Sequence, residues 1–403
     1  MIRRVIHLSL IALACAFAWV AAPALSSQPY LPGAVDFEQG LPRAAAVGDT
    51  SATEAAAKHG RVHAGEGAVS FRTASITAPG RFDLVGLAGE MRPLELRARD
   101  GDGEWTDWIE TANGDPVYFG GAYEVQLRTR GWRPSGTLHY VNVSGTTSEL
   151  GGMLAGTRQA LSSAFISAST FLQPEADAAP TRPAVVSRAA WGANAGASGC
   201  TPRAKPSYGT VEAAVVHHTV TSAKYTPAEA PAIVLGICRY HRNANGWNDI
   251  GYGALVDRFG TLYAGRAGGL GKAVVGAHAQ GFNAQTTGIA SIGTHTELPI
   301  SAEAREALIQ FLAWKLSVSE LTATGKTTLT SAGGSASRYP AGRRVRLNKV
   351  IGHGTVGLTA CPGEALELEI PKLRRMIQAR IDASGGTEPV SPEIPPTGGI
   401  PPK

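Results

Sequence analysis

From about Ala68 onward, apolar residues fall at every second position in short runs separated by Gly, Asp, Asn and Pro. "RFDLVGL", "LELRARD", "EWTDWIE", "YEVQLRTRG" and "TLHYVNVSG" each read as a strand with one buried face, and their regular spacing predicts a compact, sandwich-like all-β region over 67–146. From Pro183 the pattern changes. "VEAAVVHHTV" is β-branched and apolar enough for a buried strand. In "TPAEAPAIVLGICRYHRN" the apolar spacing becomes helical, with Thr226 as cap and Pro227 in the first turn. "YGALVDRFGTLYAGR" reads as two strands joined at Asp257-Arg258-Phe259-Gly260. "SAEAREALIQFLAWKLSV" is an amphipathic helix capped by Ser301, "KVIGH" a strand ending at His353, and "EALELEIPKLRRMIQARI" a last helix bent near Pro371. Alternating strands and helices predict an α/β domain over 183–383, a mixed central sheet flanked by helices.

The remaining stretches lack periodicity. Residues 25–66 form an Ala- and Gly-rich lead expected to be poorly ordered, 147–182 an Ala/Ser/Pro-rich linker, and 384–403 a Pro/Gly-rich tail. At the N-terminus, Arg3 and Arg4 precede an apolar run and an Ala22-Pro23-Ala24 cleavage pattern, so 1–24 read as an export signal. The run is short for a membrane span and continues past Cys15, which argues against lipid modification there. The expected product is secreted, extracellular and wall-associated, with no membrane span once the signal is removed, and a monomer.

Charge narrows the partners. Losing Arg3 and Arg4 lowers the formal charge of the 403-residue chain from +5 to +3, too mild a balance for nucleic acid. The basic cluster Arg338, Arg343, Arg344, Arg346 and Lys349 reads as a solvated loop. Trp105 and Trp108 are expected to pack in the β-rich core rather than stack on sugar rings. Past the signal three cysteines remain, and in an oxidising compartment the simplest division pairs Cys200 with Cys238 and leaves Cys361 over.

That leftover thiol lies in "VIGHGTVGLTACPG", eight positions after His353, the two joined by residues small enough to turn tightly. Zinc takes three or four nitrogen and sulfur donors, and a catalytic zinc keeps one position open for water. A third donor would come from His217-His218, of which a strand sends only one to a given face. Spacing alone does not choose between them, and a His pair in a strand serves packing as readily as metal binding.

Five ordered blocks, "SRAAWGA", "AVVHHT", "GWNDIGYGALVDRFGTLYAGR", "GAHAQGFNAQTTGIASIG" and "GHGTVGLTACPG", resemble the zinc amidase domain of peptidoglycan recognition proteins and type 2 N-acetylmuramoyl-L-alanine amidases. The resemblance implies zinc held by His217, His353 and Cys361, with Tyr252 and Thr359 beside the metal as catalytic groups. Tyr252 offers a phenolic hydroxyl to position water or stabilise an oxyanion, and Thr359 a second hydroxyl. It implies that His278 and Asn283 line the substrate groove, with His218 a further substrate contact, and that Trp191 is structural. The chain departs from many relatives in carrying Gly354-Thr355 where Arg-Asp follows the second histidine. The implied activity is zinc-dependent hydrolysis of peptidoglycan between N-acetylmuramic acid and L-alanine. Two alternatives are a non-catalytic peptidoglycan-binding module of the same fold and a zinc metallopeptidase, although no H-E-x-x-H is present.

Overall fold

The computed structural model describes residues 33–47, 70–143 and 180–384, apart from Asp102, Asn113 and Ala223. The export signal, most of the linker and the C-terminal tail lie outside the described residues. No helix among the described residues is long and apolar enough to cross a membrane.

Period-two patterning produces the N-terminal strands β1 (Val35–Gly40), β2 (Ala45–Val47), β3 (Ser70–Arg72), β4 (Ile76–Leu87), β5 (Leu94–Arg99), β6 (Ile109–Thr111), β7 (Val117–Arg130) and β8 (Thr137–Asn142). They form one eight-stranded antiparallel sheet, ordered β1-β8-β4-β7-β3-β2, with β5 and β6 added along β7. Register shifts in β4 opposite β7 accompany its passage over a core containing Phe82, Leu96, Leu127 and Tyr140. The layering expected of a sandwich thus comes from one continuous sheet. It also begins earlier than the composition indicates: β1 and β2 lie in the stretch expected to be poorly ordered. Phe37 stacks on Tyr140 at 5.1 Å, but one aromatic in six residues is too faint a sequence signal to mark a strand.

Trp105 and Trp108 are not in that core. "EWTDWIE" is irregular until Ile109, and both indoles are half-buried on the outer face. Strand β5 alternates strictly, so Glu95, Arg97 and Arg99 leave on the side opposite Leu94, Leu96 and Ala98. Arg97 lies 4.8 Å from the Trp105 ring and 4.6 Å from Trp108, and Arg128 4.5 Å from Trp108. Guanidinium stacking and ion pairs such as Arg99–Glu124 at 2.8 Å occupy the aromatic faces.

The C-terminal unit holds β9 (Ala213–His218), α1 (Ala230–Asn243), β10 (Ala254–Val256), β11 (Leu262–Ala264), β12 (Thr286–Ser291), α2 (Ala302–Ser317), β13 (Lys326–Thr330), β14 (Arg344–Asn348), β15 (Val350–Gly352) and α3 (Glu364–Ser384). Its five-stranded mixed sheet runs β11-β10-β12-β9-β15, with β9 inside and only the β10/β11 hairpin antiparallel. Asp257 Oδ1 closes that hairpin by accepting from the amides of Phe259 and Thr261. Ser301 caps α2 through Ala304 N–H at 3.1 Å, and α3 is continuous through Pro371. Helix α1 begins only at Ala230, after a turn in which Glu229 accepts from both the amide and the hydroxyl of Thr226. The basic cluster is partly strand: β14 pairs with β13, leaving Arg344 and Arg346 exposed.

The sheet faces divide the helices. Ala214 and Val216 pack toward α2 and α3, whereas Ala213 and Val215 pack with Phe282 and Ile351. Helix α1 covers Leu255 and Ala290 and, on its other side, Leu84, Val141 and Val143 of the strand-rich unit. These side chains form one cluster, so the two units share a core, in which each buried Leu or Val contributes roughly 1.5–3 kcal/mol. Contact is close enough to require glycine: a Cβ on Gly236 would run into Leu84, and one on Gly86 into Tyr240. Arg239 of α1 completes the junction with a 2.7 Å ion pair to Asp36 and bonds to the carbonyls of Ala197 and Gly199.

Candidate functional site

Alternation along β9 decides between the adjacent histidines. His217 leaves on the face of Ala213 and Val215, and its Nδ1 lies 3.6 Å from Cys361 Sγ. His353, just past β15, places its ring 4.5 Å from that of His217. One donor atom each from His217, His353 and Cys361 lies within 4.8 Å of the others. The small residues of "GTVGLTA" allow this. A Cβ on Gly357 would sit 2.7 Å from His353 Nε2, and Gly354 N–H donates to the Cys361 carbonyl at 2.7 Å, closing the loop. Cys200 and Cys238 are joined by a disulfide, which leaves Cys361 as a buried free thiol.

Burial governs the protonation of these groups. Desolvation, reinforced by neighbouring imidazoles, holds His217 well below the ordinary histidine value and His353 at about 3. Both rings are therefore neutral and keep a lone pair for a cation. Burial pushes the Cys361 thiol up, against the main-chain N–H of His218, which points at the sulfur from 3.4 Å. A cation at the cluster would reverse that shift by stabilising the thiolate. His353 Nδ1 is buried without a hydrogen-bond partner, an expensive arrangement unless something is bound there. The donor set therefore fits a metal ion.

A second tier orients the first. His217 Nε2 lies 3.0 Å from His278 Nδ1. With its Nδ1 lone pair facing the cluster, His217 carries its proton on Nε2 and donates to His278. His278 is in turn fixed by Asn283, whose Oδ1 accepts from the amides of His278 and Ala279 at 2.8 Å each. Thr359 Oγ1 accepts from Cys361 N–H at 3.1 Å, holding the segment that carries the sulfur. Arg338 donates to the Gly354 carbonyl at 2.9 Å, so a guanidinium from another loop reaches the segment where Arg-Asp is missing.

Beside this cluster lies a cleft lined by Tyr252, His278, Asn283 and His353, together with Trp247 and Asp115. Tyr252 is buried and donates its hydroxyl hydrogen to Asp115 Oδ1 at 2.8 Å; burial first, then the carboxylate, holds its pKa well above the ordinary phenol value. His218 does not reach the cleft. Strand alternation sends it to the opposite face, where its Nδ1 accepts from His295 N–H at 3.2 Å, so the expected substrate contact is corrected to a packing role. Trp191 is fully buried and donates to the Ala264 carbonyl. Sequence reasoning gave no role to Trp247, though it sits inside a quoted block. Asp115 carries no local signal at all, lying in the strand-rich unit 137 positions before its partner tyrosine.

Comparison with known proteins bears on the family. The family model described as N-acetylmuramoyl-L-alanine amidase matches residues 207–364. Peptidoglycan-recognition protein SC2 of Drosophila simulans is 30% identical over 186 residues, 46% of this chain and 84% of that protein. Peptidoglycan-recognition protein 1 of Holotrichia diomphalia is 30% identical over 189 residues, 47% of this chain and 79% of its own. Among solved structures, the endolysin amidase LysCS from Clostridium intestinale aligns over 50% of this chain and 98% of its own, at 24% identity and a TM-score of 0.34. The five ordered blocks, the mixed sheet and a relative matched over most of its length lead to one conclusion: this chain belongs to the peptidoglycan-recognition protein and type 2 N-acetylmuramoyl-L-alanine amidase family.

Proposed function

We propose that the chain is a secreted, zinc-dependent amidase that hydrolyses peptidoglycan between the lactyl group of N-acetylmuramic acid and L-alanine of the stem peptide. The observation that carries this reading is the free, buried Cys361 sulfur 3.6 Å from His217 Nδ1 and grouped with His353 beside an open cleft. Two neutral imidazoles and one thiolate match the nitrogen and sulfur preference of zinc, and three protein donors leave a position open. His217 and His353 would hold the ion through Nδ1, and Cys361 through Sγ. When bound, zinc supplies a Lewis acid for the amide carbonyl and brings the pKa of water toward neutrality.

The chain's own residues do the rest. His278 keeps the His217 ring in its tautomer and direction, and the His218 amide stabilises charge on the sulfur. Asn283 fixes His278, and Thr359 fixes Cys361. Tyr252 sets a hydroxyl at the cleft wall, its ring centroid 5.3 Å from that of His217. Hydrolysis adds water across the C–N bond: the carbonyl carbon gains the oxygen and the L-alanine nitrogen leaves as a free amine. The basic-then-apolar N-terminus supports export, and the substrate places the protein at the wall.

Mass spectrometry of purified wall after incubation with the zinc-loaded protein tests the reading. Stem peptides with a free N-terminal L-alanine should appear, and should be absent from a chelated control. Retention of the protein on wall with no release would point to capture without cleavage, and cleavage of an unrelated polypeptide to a metallopeptidase.

A further inference from the structure

The strand-rich unit is packed against the amidase unit and reaches its cleft: Met91, between β4 and β5, and Asp115, between β6 and β7, both line it. Asp115 Oδ1 accepts the Tyr252 hydroxyl hydrogen at 2.8 Å and lies 3.0 Å from His241 Nε2. His241 is wholly buried, and its Nδ1 accepts from Gly251 N–H at 3.2 Å, so its proton sits on Nε2 and is donated to Asp115. One carboxylate oxygen thus receives two hydrogen bonds whose directions are both determined. The loop that presents it is itself anchored: Thr111 Oγ1 donates to the Asp115 carbonyl at 2.7 Å, Asp115 N–H to the Ala112 carbonyl at 3.2 Å, and Asn245 Nδ2 to the Gly114 carbonyl at 2.7 Å.

A phenol has a single proton to give. With that proton committed to Asp115, the oxygen of Tyr252 offers only lone pairs to the cleft. We propose that Asp115 of the strand-rich unit is a positioning residue for the amidase reaction, holding the Tyr252 hydroxyl so that it accepts a hydrogen bond from the attacking water instead of donating one to the substrate. The inference rests on the amidase reading and deepens it. It gives the N-terminal unit a part in turnover, since without that unit Tyr252 has no acceptor and is free to rotate its proton into the cleft. It also chooses between the two roles open to Tyr252, positioning water rather than stabilising an oxyanion, and sets a hydrogen-bond polarity that the tyrosine's own sequence motif does not specify.

A double-mutant cycle on the full chain tests this, read as kcat and KM for stem-peptide release together with the melting temperature. Asp115→Ala should lower kcat about ten- to a hundredfold and leave KM within about twofold. Asp115→Asn retains an oxygen that accepts both bonds, and should recover to within about threefold of the starting protein. In a Tyr252→Phe background, Asp115→Ala should cost less than about twofold more, because the group it acts through is gone. Asn245→Ala frees the Gly114 carbonyl and the Gly89 N–H and leaves the Asp115 carboxylate in place, so its milder loss should be masked by Tyr252→Phe in the same way, which keeps the test decisive if Asp115→Ala is too unstable to assay. Losses that multiply, or an Asp115→Asn protein as impaired as Asp115→Ala with a lowered melting temperature, would reduce Asp115 to a structural tie and overturn the proposal. An unmutated protein that binds zinc and releases no stem peptide would sink the amidase reading and this inference together, whereas an active one with multiplicative losses sinks this inference alone.

Discussion

The two units bury polar groups in opposite ways. In the strand-rich unit, charged side chains leave the sheet on its outer face and find partners there: Arg97 on Gln126, Arg99 on Glu124 and Arg128 on Glu95, with two tryptophans stacked over them. In the amidase unit, polar groups gather inward at the cleft, where His353 Nδ1 and His278 Nε2 are buried without hydrogen-bond partners; His139 Nε2 of the strand-rich unit also lacks one but faces the Asp36 carboxylate at 3.5 Å. A satisfied array contributes modestly to stability and resists change, whereas an incomplete buried one is tolerated where a ligand completes it. The contrast separates a scaffold from a site, and Asp115 is where the scaffold enters the site.

The strongest way to break this contrast is to remove a cluster donor. Cys361→Ser should abolish zinc retention, read by metal analysis, and lower turnover more than a hundredfold, beyond the range of about 10–100-fold typical of groups that only orient ligands. Retained zinc with full turnover would place the chemistry elsewhere. His278→Ala should fall within that lower range, with metal affinity and kcat declining together and little change in melting temperature.

At the shared core the effect moves from turnover to stability. Asp36→Ala leaves the Arg239 guanidinium, 6% exposed, without its carboxylate and should cost about 3 kcal/mol by denaturant unfolding. The same cluster carries a pH dependence. Burial pulls His139 down, but hydrogen bonds and charge from Asp36 and Glu38 more than offset it, so its pKa is raised above 6.5. Burial raises Asp36, but His139 and Arg239 prevail and hold it below 3.8. The raised imidazole contributes fully below pH 6.5 and loses its contribution as pH rises through its folded pKa. The depressed carboxylate contributes fully above pH 3.8 and loses its contribution as pH falls through its folded pKa. The His139 contribution should therefore fade on going from about pH 6 to pH 8.5, while buried histidines with lowered pKa, His217, His218, His278 and His353, gain stability over the same interval as their unfolded forms lose the proton. The melting temperature should rise over that interval, and His139→Gln should steepen the rise. The smallest change is expected on the outer face: Arg97→Ala should cost about 0.5–1 kcal/mol of stability, with turnover unaltered. A marked loss of wall binding there would show that the tryptophan array is itself a site.

The parts of the fold that were legible are those in which neighbouring residues state the constraint. Strict alternation in β5, the cap at Ser301 and the hairpin at Asp257-Arg258-Phe259-Gly260 all appear as read. The errors have a common origin. Trp105 and Trp108 looked like core because hydrophobicity says nothing of arginines arriving from adjacent strands. The first strands, β1 and β2, looked like a lead segment because their pairing partners are remote: β1 pairs with β8 about a hundred residues later. His218 looked like a substrate contact because it adjoins the ligand His217 in the motif, yet strand alternation turns it to the opposite face, against His295.

By itself the sequence determined the family and the chemistry it can carry. His353 and Cys361 share one short loop, the first histidine lies in a recognisable strand, and small residues between the donors permit close approach. The resemblance named His217 of the pair; tertiary structure alone decided that the two units share a core through α1 and that a carboxylate from the N-terminal unit holds Tyr252. The physical reason is range. Capping, alternation and turn chemistry act over a few residues, whereas a hydrogen bond across 137 positions exists only once hydrophobic burial has brought the two sheets and α1 together.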